Sequence, residues 1–201
     1  MKKLHDHYFE KAKKEHYAAR SVYKLEEIDA RFRLLRPGSR VLDLGCAPGS
    51  WCQYAAKKVG PGGIVVGVDI QKTTATFGSN VHILEMDVHA PDNDALRQWS
   101  DQYDVVISDM APSTTGIKSV DHDRSIALVE AALGIAVLVL KPGGGFVCKV
   151  FQGADFNKLV AGMKPLFDQV KIVKPQGSRK ESKEIFLVAT GFRGELRAVT
   201  S

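Results

Sequence analysis

Seven short runs rich in apolar residues punctuate the chain: Val41–Leu44, Ile64–Val68, Val81–Leu84, Val105–Ser108, Phe146–Val150, Val170–Val173 and Ile185–Ala189. Runs of this length, bounded by glycine, proline or acids, predict buried β-strands. Helical periodicity fills most of the intervals. Val22, Leu25, Ile28 and Phe32 recur at helical spacing behind Ser21, a capping residue type, so residues 1–36 read as helical up to Pro37-Gly38. A helix is expected from Ser50 to the Gly60-Pro61-Gly62-Gly63 stop, a short one over Asp94–Ser100 and another over Asp155–Leu166. A long one over Asp123–Leu140 is ended by Pro142 and three glycines. Strands apolar on both faces that alternate with helices imply an α/β fold whose sheet is mostly parallel and covered on both sides. The last two runs are joined only by the polar segment 174–183 and predict an antiparallel pair at one edge. With no repeat or low-complexity tract, residues 1–201 are expected to form a single domain, residues 1–36 being a basic N-terminal helical arm.

Composition narrows the class. The 201 residues are 44% hydrophobic and 25% charged, the balance of an ordinary globular protein. The longest apolar stretch, Ile126–Leu140, is interrupted by Glu130 and Gly134 and reads as a buried helix, so no membrane span is expected. The charged start, Met1-Lys2-Lys3, leads into no apolar signal segment. Cys46, Cys52 and Cys148 form neither a metal spacing nor a disulfide framework, which fits a reducing, cytoplasmic setting. The six histidines show no metal-ligand spacing, and no metal site is assigned. The net charge of +5, with Lys11, Lys13, Lys14, Arg20, Lys24, Arg31, Arg33 and Arg36 crowded before the first strand, suits a polyanionic partner.

The candidate chemistry sits at strand ends. In an open α/β sheet, ligands bind beyond the carboxyl ends of the strands, where strand order reverses. Asp43, Asp69 and Asp109 stand at three such ends, and Asp87 follows the third strand. The loop Gly45-Cys46-Ala47-Pro48-Gly49 supplies glycines where backbone must approach a ligand closely, but has neither the dinucleotide glycine spacing nor a P-loop lysine. A cationic cofactor without phosphate suits it better, because neighbouring carboxylates attract positive charge. Asp69 is placed to accept from a ribose diol and Asp87 from an adenine amino group. Trp51, directly after the loop, is placed either to pack beside the cofactor or to serve as a core aromatic. Lys149, between Val147-Cys148 and Val150-Phe151, is a charge inside an apolar strand.

These segments resemble the FtsJ/RrmJ family of RNA 2′-O-methyltransferases. The resemblance runs from about Tyr17 to Phe192. Arg20-Ser21-Val22-Tyr23-Lys24-Leu25, Asp43 through Trp51, Ser108-Asp109-Met110-Ala111-Pro112, Lys149-Val150-Phe151-Gln152-Gly153, and Ser178-Arg179 through Glu184 carry it. The family implies a Rossmann-like S-adenosylmethionine (SAM)-dependent methyltransferase fold of seven strands, the last inserted antiparallel. It implies a catalytic tetrad at Lys24, Asp109, Lys149 and Glu184, and cofactor contacts at Gly49, Trp51, Asp69, Asp87 and Asp109. Gly45, Ala47 and Pro48 of the same loop join that set. Cys46 and Ser50 depart from the family's usual loop residues, and Gln71–Asn80 looks unlike its counterpart.

A ribose hydroxyl is a weak nucleophile, so its methylation calls for a group that handles its proton or its developing charge. Lys149 is the expected group, acting either as the base or as a cation that steers the oxygen. The bacterial members most resembled methylate a uridine of 23S rRNA in the large ribosomal subunit, which makes RNA the expected partner and a cytoplasmic monomer the expected form. The alternatives are a tRNA or mRNA-cap ribose as acceptor, a nucleotide-dependent dehydrogenase or kinase on the same layered fold, or a non-catalytic RNA-binding assembly factor.

Overall fold

A computed structural model describes residues 2–176 and 182–194. The elements are α1 (Lys2–Lys14), α2 (Val22–Phe32), β1 (Arg40–Leu44), α3 (Ser50–Val59), β2 (Ile64–Asp69), β3 (Val81–Glu85), α4 (Asn93–Arg97), β4 (Tyr103–Ser108), α5 (Lys118–Val139), β5 (Leu140–Phe151), α6 (Phe156–Met163), β6 (Phe167–Val173) and β7 (Glu184–Phe192). All seven expected strands are present, in one sheet of order β3-β2-β1-β4-β5-β7-β6. The five strands from β3 to β5 run parallel, while β7 enters antiparallel between β5 and β6.

Each face buries its own apolar set. Leu42, Val66, Val106, Phe146, Cys148 and Leu187 pack against α5 and α6, and Val41, Val65, Ile107, Val147 and Phe186 pack against α2 and α3. Strand side chains alternate between faces, so β5 sends Val147 and Lys149 toward α2 and α3, and Phe146, Cys148 and Val150 toward α5.

Several local expectations are corrected. The 1–36 stretch is two helices, because the chain turns at His16 (φ +60°) and α2 stops at Arg33 (φ +53°). Ser21 makes no cap bond: its hydroxyl lies 3.2 Å from that of Ser50 and so links α2 to α3. Lys11 lies 4.2 Å from the Tyr23 ring centroid and Tyr8 5.3 Å, which docks α1 on α2. The fourth helix ends at Arg97 and is capped by Asp92, whose Oδ1 accepts from the Asp94 and Ala95 N–H groups. The long helix starts at Lys118, five residues before the expected Asp123, and β5 extends back through Pro142 to Leu140. The sixth helix stops at Met163, and β6 begins at Phe167. Ser178 to Glu181, part of the family-like segment, lie outside the described residues.

Candidate active site

Parallel pairing decides what meets at the carboxyl edge. Leu44 pairs with Val68 on one side and Ser108 on the other, so Gly45 stands between Asp69 and Asp109. This is the point where the strand order reverses. The Gly45 and Cys46 N–H groups both donate to the Val68 carbonyl, at 2.8 and 3.0 Å. Asp69 knits the glycine loop to the segment beyond β2: Oδ2 accepts from the Ala47 N–H and Oδ1 from the Gln71 N–H, both at 2.8 Å. The Thr74 and Ala75 N–H groups donate to the Pro48 carbonyl at 3.3 Å, which folds this segment back over the loop.

Two glycines make that packing possible. Gly45 has φ +76°, and a Cβ there would stand 2.1 Å from Met110 Cγ. Gly49 has φ +116°, and its Cβ would stand 2.7 Å from both Ala75 and Phe77. Any L-residue would be strained at either backbone and would collide with its neighbour.

A cleft of about 370 Å³ opens at this edge. Gly45, Ala47, Asp69, Asp87 and Asp109 line it; Pro48, Gly49 and Trp51 do not. Pro48 and Gly49 form the turn beneath residues 74–77. Trp51 is buried, its Nε1–H donates to the Ser21 carbonyl at 3.0 Å, and its ring centroid lies 5.9 Å from that of Phe186. It fastens α2 to α3, as the core-aromatic alternative has it. The apolar walls are Ile70, Met86, Val88, Met110 and Leu128, which sequence reasoning did not assign. Ile70, directly after the acid at the tip of β2, is 66% exposed.

Asp43 lies beneath the loop and is almost wholly buried. Burial is the main cause that pushes its carboxyl up to about 7; Asp109 and Asp69 add to the rise, and a hydrogen bond from the Cys52 thiol opposes it. That thiol donates to Oδ2 at 3.1 Å. Oδ1 of Asp43 is a buried acceptor without a hydrogen-bond partner among the described residues. A cleft lined by Asp69, Asp87 and Asp109, with Asp43 buried beneath it, suits a cofactor that brings positive charge and N–H or O–H donors.

Beside the cleft, four ionic side chains converge. Lys149 pairs across the sheet with Phe186 and Phe151 with Glu184, so Lys149 and Glu184 share a face one diagonal step apart. Because Ser108 pairs with Cys148, the residue after β4, Asp109, reaches Lys149 directly. Lys149 Nζ lies 3.0 Å from Asp109 Oδ1, an ion pair, while its hydrogen bond is directed at the Asp109 main-chain oxygen. Lys24, on the inner face of α2, donates to Glu184 Oε2 at 3.0 Å. Burial alone would raise the Glu184 carboxyl, but Lys24 and then Lys149 hold it below its ordinary value. The two ion pairs are therefore electrostatically joined through Glu184 and Lys149. Lys149 is 7% exposed, a buried charge that its carboxylate neighbours compensate.

Residues 17–192 match the model of the family described as FtsJ-like methyltransferase. A protein of Syntrophobacter fumaroxidans named Ribosomal RNA large subunit methyltransferase E is 52% identical over 191 residues, covering 94% of this chain and 97% of its own. A protein of the same name from Oleidesulfovibrio alaskensis is 52% identical over 196 residues, covering 96% and 95%. A crystal structure described as a ribosomal RNA methyltransferase of Plasmodium falciparum superposes with TM-score 0.75 at 26% identity, over 89% of this chain and all of that one.

Proposed function

We propose that this chain, which belongs to the FtsJ-like methyltransferase family, methylates a ribose 2′-hydroxyl of RNA, most specifically a uridine of 23S rRNA in the large ribosomal subunit. It is a methyltransferase by membership. The observation that carries the finer reading is the convergence of Lys24, Asp109, Lys149 and Glu184 beside an acidic, phosphate-averse cleft. The acceptor class is supported by its relatives' name, Ribosomal RNA large subunit methyltransferase E.

The residues present fit SAM. The acids at the ends of β1, β2 and β4 favour its cationic centre, and Asp69 and Asp87 offer acceptors to the ribose and adenine, between walls formed by Ile70, Met86 and Val88. Bound there, SAM supplies an electrophilic methyl group. The chain's own residues do the rest. Asp109 fixes the Lys149 amine by charge and through its main-chain oxygen. Lys149 then orients the ribose oxygen and stabilises the negative charge that builds on it as the O–CH3 bond forms and the hydroxyl proton passes to solvent water. Glu184 holds Lys24 at the mouth of the same site, where its cation faces an incoming phosphodiester backbone. The intact ion pairs disfavour a non-catalytic assembly factor. No described helix is long and apolar enough to cross a membrane, and we take the enzyme to act as a cytoplasmic monomer.

The test is transfer of labelled methyl from SAM to large ribosomal subunits purified from cells lacking the gene, followed by mapping of the modified ribose. Label in a base, or in tRNA alone, would refute the assignment. Asp69→Ala should raise the dissociation constant of SAM roughly 10–100-fold, the value of one or two hydrogen bonds to a charged group. Its carboxylate also holds the Ala47 N–H, so loop order is lost with the ligand contact. Calorimetric titration checks this, and an unchanged constant would remove Asp69 from the cofactor site. RNA affinity should fall steeply between about 50 and 200 mM salt if α1 and α2 neutralise phosphates. Filter-binding that shows no salt slope would exclude that role for the basic arm.

A further inference from the structure

The first turn of α5 grips two loops at once. Asp121 takes three hydrogen bonds from the loop after β4, the loop that begins at Asp109. The Thr115 N–H and hydroxyl reach Oδ1 at 2.6 and 2.9 Å, and the Gly116 N–H reaches Oδ2 at 3.3 Å. The next residue, His122, is buried and holds the loop after β5. Its Nδ1 lies 2.9 Å from the Phe151 carbonyl, and its Nε2 lies 3.1 Å from the Asp155 N–H. A carbonyl can only accept and an amide N–H only donate, so Nδ1 carries the proton and Nε2 the lone pair. Ser125 Oγ, one turn on, accepts the Phe151 N–H at 3.0 Å.

Phe151 is thus held at both backbone groups. It lies two residues after Lys149 and pairs across the sheet with Glu184. The contact is close: a Cβ on Gly153 would stand 2.3 Å from the His122 ring. His122, Asp123 and Asp155 are also the His and acid side chains among the described residues near enough to share an ion. Both ring nitrogens are already committed to backbone, which leaves no lone pair for a metal.

We propose that His122 is a positioning residue for methyl transfer. Through Phe151 and Asp155 it fixes the end of β5, and with it the relative placement of Lys149 and Glu184, while Asp121 ties the Asp109 loop to the same helix turn. This rests on the methyltransferase reading above. His122→Ala should lower kcat at least about tenfold and shift the SAM dissociation constant less than about twofold, because the gripped atoms lie outside the cofactor cleft. His122→Asn, whose amide still donates to the Phe151 carbonyl, should recover much of that loss. Gly153→Ala should lower kcat in the wild-type background and cost little more in His122→Ala, where the ring it strikes is gone. If His122→Ala does not fold, Ser125→Ala tests the same grip and should show a smaller kcat loss with SAM affinity kept.

Amide hydrogen exchange, measured without substrate, supplies a readout independent of activity. Exchange at Phe151 and Asp155 should quicken at least about tenfold in His122→Ala. A folded His122→Ala protein with wild-type kcat, additive costs in the double variant, or unchanged exchange would each overturn the proposal. A wild-type chain that transfers no methyl to RNA sinks the functional reading instead, and the exchange measurement then still decides whether His122 holds the β5 end.

Discussion

Lys149→Ala is expected to lower the rate of methyl transfer by roughly 10²–10⁴-fold, the range for a group that manages proton or charge in the transition state. SAM binding should stay within about threefold of wild type, since Lys149 stands outside the lining of the cofactor cleft. The substitution leaves the Asp109 carboxylate, only 16% exposed, without its cation. A lowered melting temperature is therefore expected as well. Lys149→Met separates the two effects. It keeps the apolar stem against Val147 and Phe186 while removing the amine, so activity should be lost with less loss of stability. Single-turnover transfer under saturating SAM is the measurement. Lys24→Ala should reduce the rate less, because its pair with Glu184 sits nearer solvent than the Lys149–Asp109 pair. A Lys149→Met enzyme that still transfers methyl at near the wild-type rate would take the lysine out of the chemistry.

The strands were legible because each is a short apolar run, the first four followed directly by an acid or glycine, a pattern that survives without knowledge of its neighbours. Strand order was not. The pattern paired β6 with β7 at an edge, but the insertion of β7 between β5 and β6 came only from the family resemblance. Lys149 declared itself as a charge inside an apolar strand. Asp43, flanked by Val41-Leu42 and Leu44, carries the same signal but no local hint of its role. Lys24 and Glu184 look like ordinary surface residues until a helix 160 positions away brings them together. The apolar walls of the cleft were hidden for a related reason. Ile70, Met86, Met110 and Leu128 come from four separate segments, and no local period links them. Trp51 had two readings, a ligand contact or a core aromatic. Its place beside the glycine loop suggested a ligand contact, whereas its helical phase turns it toward α2.

Asp43→Asn is expected to strengthen the fold at high pH and weaken the hold on SAM. The Asp43 carboxyl is raised from 3.8 to about 7 by burial, with Asp109 and Asp69 adding to it. A folded-state pKa above the unfolded value means that the native state binds the proton more tightly. The stabilisation is complete below the unfolded value and fades as pH rises through the folded one, by about 1.4 kcal/mol per pH unit in between. Above pH 7 the native chain carries a buried carboxylate whose Oδ1 lacks a donor. Asparagine removes that charge at the cost of an unpaired amide N–H, about 1–3 kcal/mol, so the net gain at pH 8 should be about 1–3 kcal/mol and should turn into a net loss of about 1–3 kcal/mol near pH 4, where the wild-type carboxyl is already neutral. Urea unfolding at the two pH values reads it. The same charge is what a cationic ligand sees. Wild-type affinity for SAM should therefore rise between about pH 6 and 8 as Asp43 ionises, with proton release on binding below pH 7. In Asp43→Asn the rise should flatten and the affinity at pH 8 should fall. Identical, pH-independent titrations of the two proteins would mean that the charge beneath the glycine loop does not reach the ligand.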